Sequence, residues 1–353
     1  MTGIAAVRRR LTPSPRPLPG WAVVANKEFG DHVTSIRFVV LLLILAVAVA
    51  APLYFASSTI RAAAPSTSGL PSIFLFLFRL GPQDPNLPNI LRFDFFIGLL
   101  APLLGIAFGF DAVNVERTER TLPRLVAQPI HRDDVINGKF VAGLATISII
   151  LAALFLLVAG FGIFRLGIVP SLPEVVRLIA WYALTVIYVG FWLAFAMLLS
   201  VAIRRAAASA LIAFGTWFFF LLFWSLVASL GSTVLAPSGA TPESVLSNAQ
   251  MYQTINRLSP GTLYGQATIA LVDPRAGTTD VSVPGSLGGL AQAQQQIPSL
   301  SCVQTSNGDL CSPPPDLLAS VLLIWPQIVI LLALTVIAFA LSYVLFMRQE
   351  VRA

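Results

Sequence analysis

The chain has 353 residues, 56% of them hydrophobic and only 11% charged, against about 25% charged in a typical soluble domain. That composition excludes a soluble fold and specifies a polytopic membrane protein, in which the net charge of +6 reflects positive-inside topology rather than nucleic-acid binding. Two cysteines and two histidines exclude a multi-cysteine metal site and an HExxH metalloprotease.

In chain order, residues 1–20 carry four arginines and Pro13, Pro15, Pro17 and Pro19, which predicts a disordered basic tail. Residues 21–36 place Val24, Phe29, Val33 and Ile36 between Lys27, Glu28 and Asp31. This predicts an interfacial helix on the cytosolic membrane surface. The remainder, 37–353, reads as one six-span transmembrane domain. Phe38 to Phe55 is the first span, near the roughly 20 residues a bilayer requires. Within the proline-rich loop that follows, Ile73 to Phe78 is too short to cross and is expected in the interface or packed on neighbouring spans. Ile90 to Phe110 is the second span, with Gly98, Pro102, Gly105 and Gly109 along one helical face. Small residues on such a face allow close helix packing; a pathway lining or hinge is the alternative.

Phe140 to Phe164 and Val176 to Ile203 are the third and fourth spans. The fourth carries an aromatic stripe of Trp181, Tyr188, Trp192 and Phe195, read as packing or as a contact surface for an apolar substrate. The fifth span runs from about Ser209 to Leu235 and the sixth from about Leu317 to Met347. With six spans, fifteen lysines and arginines fall on the side of both termini and of 111–139, and seven on the other. Both termini and that loop are therefore expected in the cytosol.

The loop 236–316 is expected outside. Thr241-Pro242-Glu243 is a helix start, with threonine as cap and proline in the first position. A break at Ser259-Pro260-Gly261 precedes a second short helix to about Val272. Residues 276–300, rich in Gly, Ser, Ala and Gln, are expected to be mobile. Cys302 and Cys311 lie nine positions apart in this exported loop, so a disulfide is geometrically easy and redox-permitted, with two free thiols as the alternative.

The charged interval 111–139 holds Arg117, Arg120, Arg124, Arg132 and Lys139 against Asp111, Glu116, Glu119, Asp133 and Asp134. Leu122-Pro123 breaks the incoming helix and Pro129 closes a short one behind it. The result is a transverse helix between two spans, balanced in charge and suited to a specific soluble partner. There is no P-loop, because Gly138-Lys139 is followed by Phe140, and there is no GxSxG elbow. Charges deep in the spans are nearly absent, unlike ion-coupled carriers. No enzyme activity is expected of the chain, and its energy must come from a partner.

PheAspAlaVal at 110–113, GluArgThrGluArgThrLeu at 116–122 and GlnProIleHisArgAspAspValIleAsnGlyLys at 128–139 resemble the cytosolic loop signature of ATP-binding-cassette (ABC) exporter permeases of the second type. LysGluPheGlyAsp at 27–31 resembles their amphipathic helix before the first span, and AsnArgLeuSerPro at 256–260 a motif in their last outer loop. Arg120 and His131 depart from the usual glycine and Ser/Thr. The resemblance implies a multi-pass permease of the cell membrane that works as a homo- or heterodimer, with two copies of a separate ATPase holding the ATP and magnesium. No cofactor or nucleic acid is implied for this chain. Residues 122–128 would be the coupling helix, with Glu116, Glu119 and Arg124 as polar and Leu122, Leu125 and Val126 as apolar docking contacts. The alternative is a scaffold or accessory subunit of such a complex, which transmits force without moving cargo.

Overall fold

The computed structural model describes residues 19–67, 74–75, 78, 93–118, 131–167, 169–239, 241–272, 302–305, 308–311 and 317–348. The described residues are overwhelmingly helical. In chain order the helices are α1 (Gly20–Val33), α2 (Ile36–Thr67), α3 (Phe93–Gly109), α4 (Asn114–Thr118), α5 (Arg132–Leu166), α6 (Leu172–Ala202), α7 (Ala206–Leu222), α8 (Trp224–Leu235), α9 (Pro242–Asn256), α10 (Pro260–Val272) and α11 (Leu317–Arg348). Four helical stretches are long and apolar enough to cross a membrane: 93–118, α5, α6 and α11. Two bent pairs, α1 with the start of α2 and α7 with α8, raise the number to six if each is one span.

Local chemistry sets the helix boundaries. The chain turns by 61° between α1 and α2, where the Thr34 and Ser35 hydroxyls donate to the Gly30 and His32 carbonyls. Ser35 Oγ then accepts the Phe38 N–H at 3.2 Å, so one side chain closes α1 and opens α2. This makes the expected interfacial helix of 21–36 end at Val33. Gly167, at φ 69°, terminates α5 in the left-handed conformation that glycine adopts without a Cβ clash. Glu174 reaches back to the Ser171 N–H at 2.8 Å and starts α6 as a capping box. Thr241 caps α9 with Pro242 in its first turn.

The core lies between α3, α5 and α6, with α10 and α11 against α6. Near the start of α3, Phe78, Phe93, Phe155 and Trp181 form a box with ring centroids 4.8–6.1 Å apart. Phe74, Leu75 and Phe78 are all buried, so the 73–78 run packs inward at its described positions.

In the loop 236–316 the second short helix, α10, is packed into the bundle: every residue of it except Gly261 is buried. It is wedged between α6, α11 and α3. Trp181 Nε1 donates to Thr268 Oγ1 at 3.1 Å, Thr185 Oγ1 lies 3.0 Å from Tyr264 Oη, and the rings of Tyr188 and Tyr264 stack at 4.3 Å. The physical reason is composition: no charged residue occurs from Leu258 to Val272, so the segment gains by leaving water, while Thr268 and Tyr264 find partners on α6, Thr262 on Asn256 and Gln266 on Gln327 of α11. Strands β1 (Cys302–Thr305) and β2 (Gly308–Cys311) form an antiparallel hairpin in the same loop. The 1–18 tail and 273–301 lie outside the described residues.

Candidate functional site

At the end of the bundle where 119–130 connects α4 to α5, charged side chains collect between five helices. The base of this site is the crossing of α1 over the start of α5. A Cβ on Gly138 would lie 2.7 Å from Val24 Cβ and 2.8 Å from the Trp21 carbonyl, so only glycine allows this approach. α1 begins at Pro19 without a side-chain cap of its own; Asp134 Oδ1, from the first turn of α5, accepts the Trp21 N–H at 3.0 Å. An acceptor across the fold thus takes one of the orphan donors at that terminus.

One turn along α5, Lys139 is 7% exposed and ion-paired twice, to Glu28 of α1 at 3.1 Å and to Glu116 of α4 at 2.9 Å. Glu28 also meets Lys27, and Lys27 meets Asp31, so charges alternate from solvent to interior. Buried pairs of this kind are favourable only while each charge keeps its partner, and stranding one costs about 3–5 kcal/mol. His32 packs edge-on against Phe108 at 5.1 Å, and burial pushes its imidazole below the ordinary value of 6.5.

The opposite flank of α4 is held by α6. Ser200 Oγ accepts the N–H groups of Val113 and Asn114 at 3.1 and 3.3 Å. Arg117 donates to the Ser200 and Val201 carbonyls at 3.4 and 3.1 Å, which satisfies acceptors at the C-terminal end of α6. Arg37, at the start of α2, pairs with Asp111 and lies 5.6 Å from the Phe110 ring. Both ends of the 119–130 connection are therefore anchored by polar contacts.

The sequence-derived residues fall into three groups. Glu116, expected as a docking contact, is turned inward, 7% exposed and bound to Lys139 of α5. Glu119, Leu122, Arg124, Leu125 and Val126 lie outside the described residues. Gly105 and Gly109 face α6: added Cβ atoms would meet Val189 O and Leu193 N at 2.7 Å, and Ala196 Cβ at 2.7 Å. Gly98 and Pro102 are buried on the same helix, and Trp181, Tyr188 and Trp192 are buried on α6. Cys302 and Cys311 face each other in the β1–β2 register. Ser200 and Tyr264 were not singled out from sequence, and Glu28 and Asp134 were named only as charges of their segments. The signs present were the LysGluPheGlyAsp run for Glu28, the Asp-Asp pair of the loop signature for Asp134 and the uncharged stretch around Tyr264.

Residues 22–351 match the family described as ABC-2 family transporter protein. Among curated proteins, the probable ABC transporter permease protein NosY of Stutzerimonas stutzeri is 30% identical over 168 residues, 44% of this chain and 58% of that protein. NosY of Pseudomonas aeruginosa, also named a probable ABC transporter permease, matches at the same identity and coverage. The chain thus spans 58% of the length of these relatives.

Proposed function

The chain belongs to the ABC-2 family of transporter proteins, and from that premise we propose that it is the permease of an exporter, working as a dimer and driven by a separate ATPase docked on the 111–139 loop, with 122–128 as the coupling helix. As a multi-pass protein of the cell membrane it carries no recognisable nucleotide-binding motif, so ATP and magnesium belong to the partner. The observation that supports the docking site most is the anchoring of both ends of 119–130. α4 before it and α5 after it are held by Glu116–Lys139, Arg117–Val201 and Asp134–Trp21. A loop mounted this way transfers a push to the helices instead of absorbing it. Leu122, Leu125 and Val126 would supply the apolar anchors, which dominate most interfaces, and Glu119 and Arg124 the polar rim. Glu116 acts behind the loop as a tether.

Leu125→Glu tests this reading. A carboxylate placed in an apolar groove without a partner costs about 3–5 kcal/mol, so the ATPase should no longer co-purify with a chain that still inserts. Retention of the partner with unchanged ATP turnover in liposomes would overturn the docking assignment. A force-transmitting accessory subunit would keep the partner interaction without cargo-dependent ATP turnover.

A further inference from the structure

The polar contacts at the loop end sort the helices into two bodies. α1 and α5 form the first, joined by the Asp134–Trp21 hydrogen bond, the Lys139–Glu28 pair and backbone-close packing at Gly138. α4 and α6 form the second, joined by Ser200 Oγ to two backbone N–H groups and by Arg117 to two carbonyls. The 119–130 connection leaves the second body at Thr118 and enters the first at Arg132. Within the bundle the two bodies meet from Gly143 onward, where the glycine faces Leu193, and again where Tyr182 Oη donates to the Ser148 carbonyl at 2.9 Å. Beyond that meeting, toward the loop, Lys139–Glu116 joins the first body to the second. Arg37–Asp111 and the His32–Phe108 ring contact flank it.

Resting on the docking role proposed above, we propose that the Lys139–Glu116 ion pair is a latch between these bodies, and that displacement of 119–130 opens it. α1 and α5 then swing together away from α4 and α6, so that α1 carries the motion to α2. The chemistry of Lys139 makes this opening feasible. Its ammonium holds two carboxylates, and when Glu116 leaves, Glu28 at 3.1 Å still neutralises it. No buried cation is stranded, which is the usual obstacle to breaking a buried pair. Glu116 lies two residues before the end of α4 and moves with the loop toward water. Among the described residues the contacts inside each body are several and partly backbone, whereas on the loop side of Gly143 the bodies are joined through side chains, Lys139–Glu116 with Arg37–Asp111 and His32–Phe108 beside it, so this side-chain layer yields first. Glu116 is therefore a positioning residue for coupling.

The test uses two isosteric variants that remove one carboxylate charge each. Spin labels at the exposed positions Asn26 of α1 and Ala202 of α6, introduced as cysteines with Cys302 and Cys311 replaced by serine, report the separation of the bodies. In the full permease–ATPase complex, a non-hydrolysable ATP analogue should shift this distance by about 2 Å or more, the scale of helix shifts in allosteric interfaces. Glu116→Gln should produce that shift without nucleotide, whereas Glu28→Gln, which cuts a tie inside one body, should not. Equal distances in the two variants, or a wild-type distance indifferent to nucleotide, would overturn the latch. If the ATPase does not co-purify, the docking proposal fails. The variant comparison on the permease alone still decides whether Glu116 holds the bodies together.

Discussion

Gly138→Ala isolates the contact on which the loop-end site is built. The added methyl would sit 2.7 Å from Val24 Cβ and 2.8 Å from the Trp21 carbonyl oxygen. Carbon atoms pack at about 3.5–4.0 Å, so α1 must retreat by roughly 1 Å. One obstacle is backbone and the other is the first atom of a β-branched side chain, so no rotamer change relieves the clash. Overpacking of this kind costs about 1–3 kcal/mol. The displacement also stretches the Asp134–Trp21 bond and the Lys139–Glu28 pair, at 3.0 and 3.1 Å. A cysteine at Val24, 5% exposed, should be nearly inert to a hydrophilic maleimide in the parent chain. In Gly138→Ala it should react several-fold faster, about tenfold for each 1.4 kcal/mol of weakened packing. Labelling indistinguishable from the parent, with an unchanged melting temperature in detergent, would refute the claim that α1 is clamped through Gly138.

Three further outcomes are expected. A single cysteine at Asp280 should be labelled from outside intact cells and one at Arg124 only after permeabilisation; outside labelling at Arg124 would reverse the topology. Unreduced, alkylated protein should yield one linked peptide containing Cys302 and Cys311, since directly opposed residues on antiparallel strands lie within the Cα separation a disulfide spans; alkylation of both without reduction would exclude the bond. His32 is held below its ordinary value of 6.5 and faces Glu28, Asp31, Asp111 and Lys139, so the detached helix takes up a proton more readily than the docked one. Docking of α1 should be full above about pH 6.5 and weaken as pH falls through it, read as faster labelling at Val24, and His32→Phe should flatten that profile.

The features legible in the sequence were those with a local cause. Apolar runs of sufficient length marked the membrane helices, Thr241-Pro242 marked the start of α9, and Ser259-Pro260 separated it from α10. The loop signature around 111–139 carried the family, which matches residues 22–351. The fate of each polar residue was different. Nothing local in the sequence marked Glu116 as an inward carboxylate, and its pairing with the distant Lys139 holds it inside. Gly105 and Gly109 form a small-residue stripe whose meaning came only from the α6 backbone lying against them. The α10 helix, thirteen residues long, was legible only as a short helix within the loop 236–316. Its burial depends on Trp181, Thr185 and Tyr188 of α6, which lie 76–87 positions away, receiving its tyrosine and threonine. Helix propensity, caps and hydrophobic length act over a few residues and are written in order along the chain. Charge pairing and close backbone approach act across space, and only the packed tertiary structure decides which distant residues supply them.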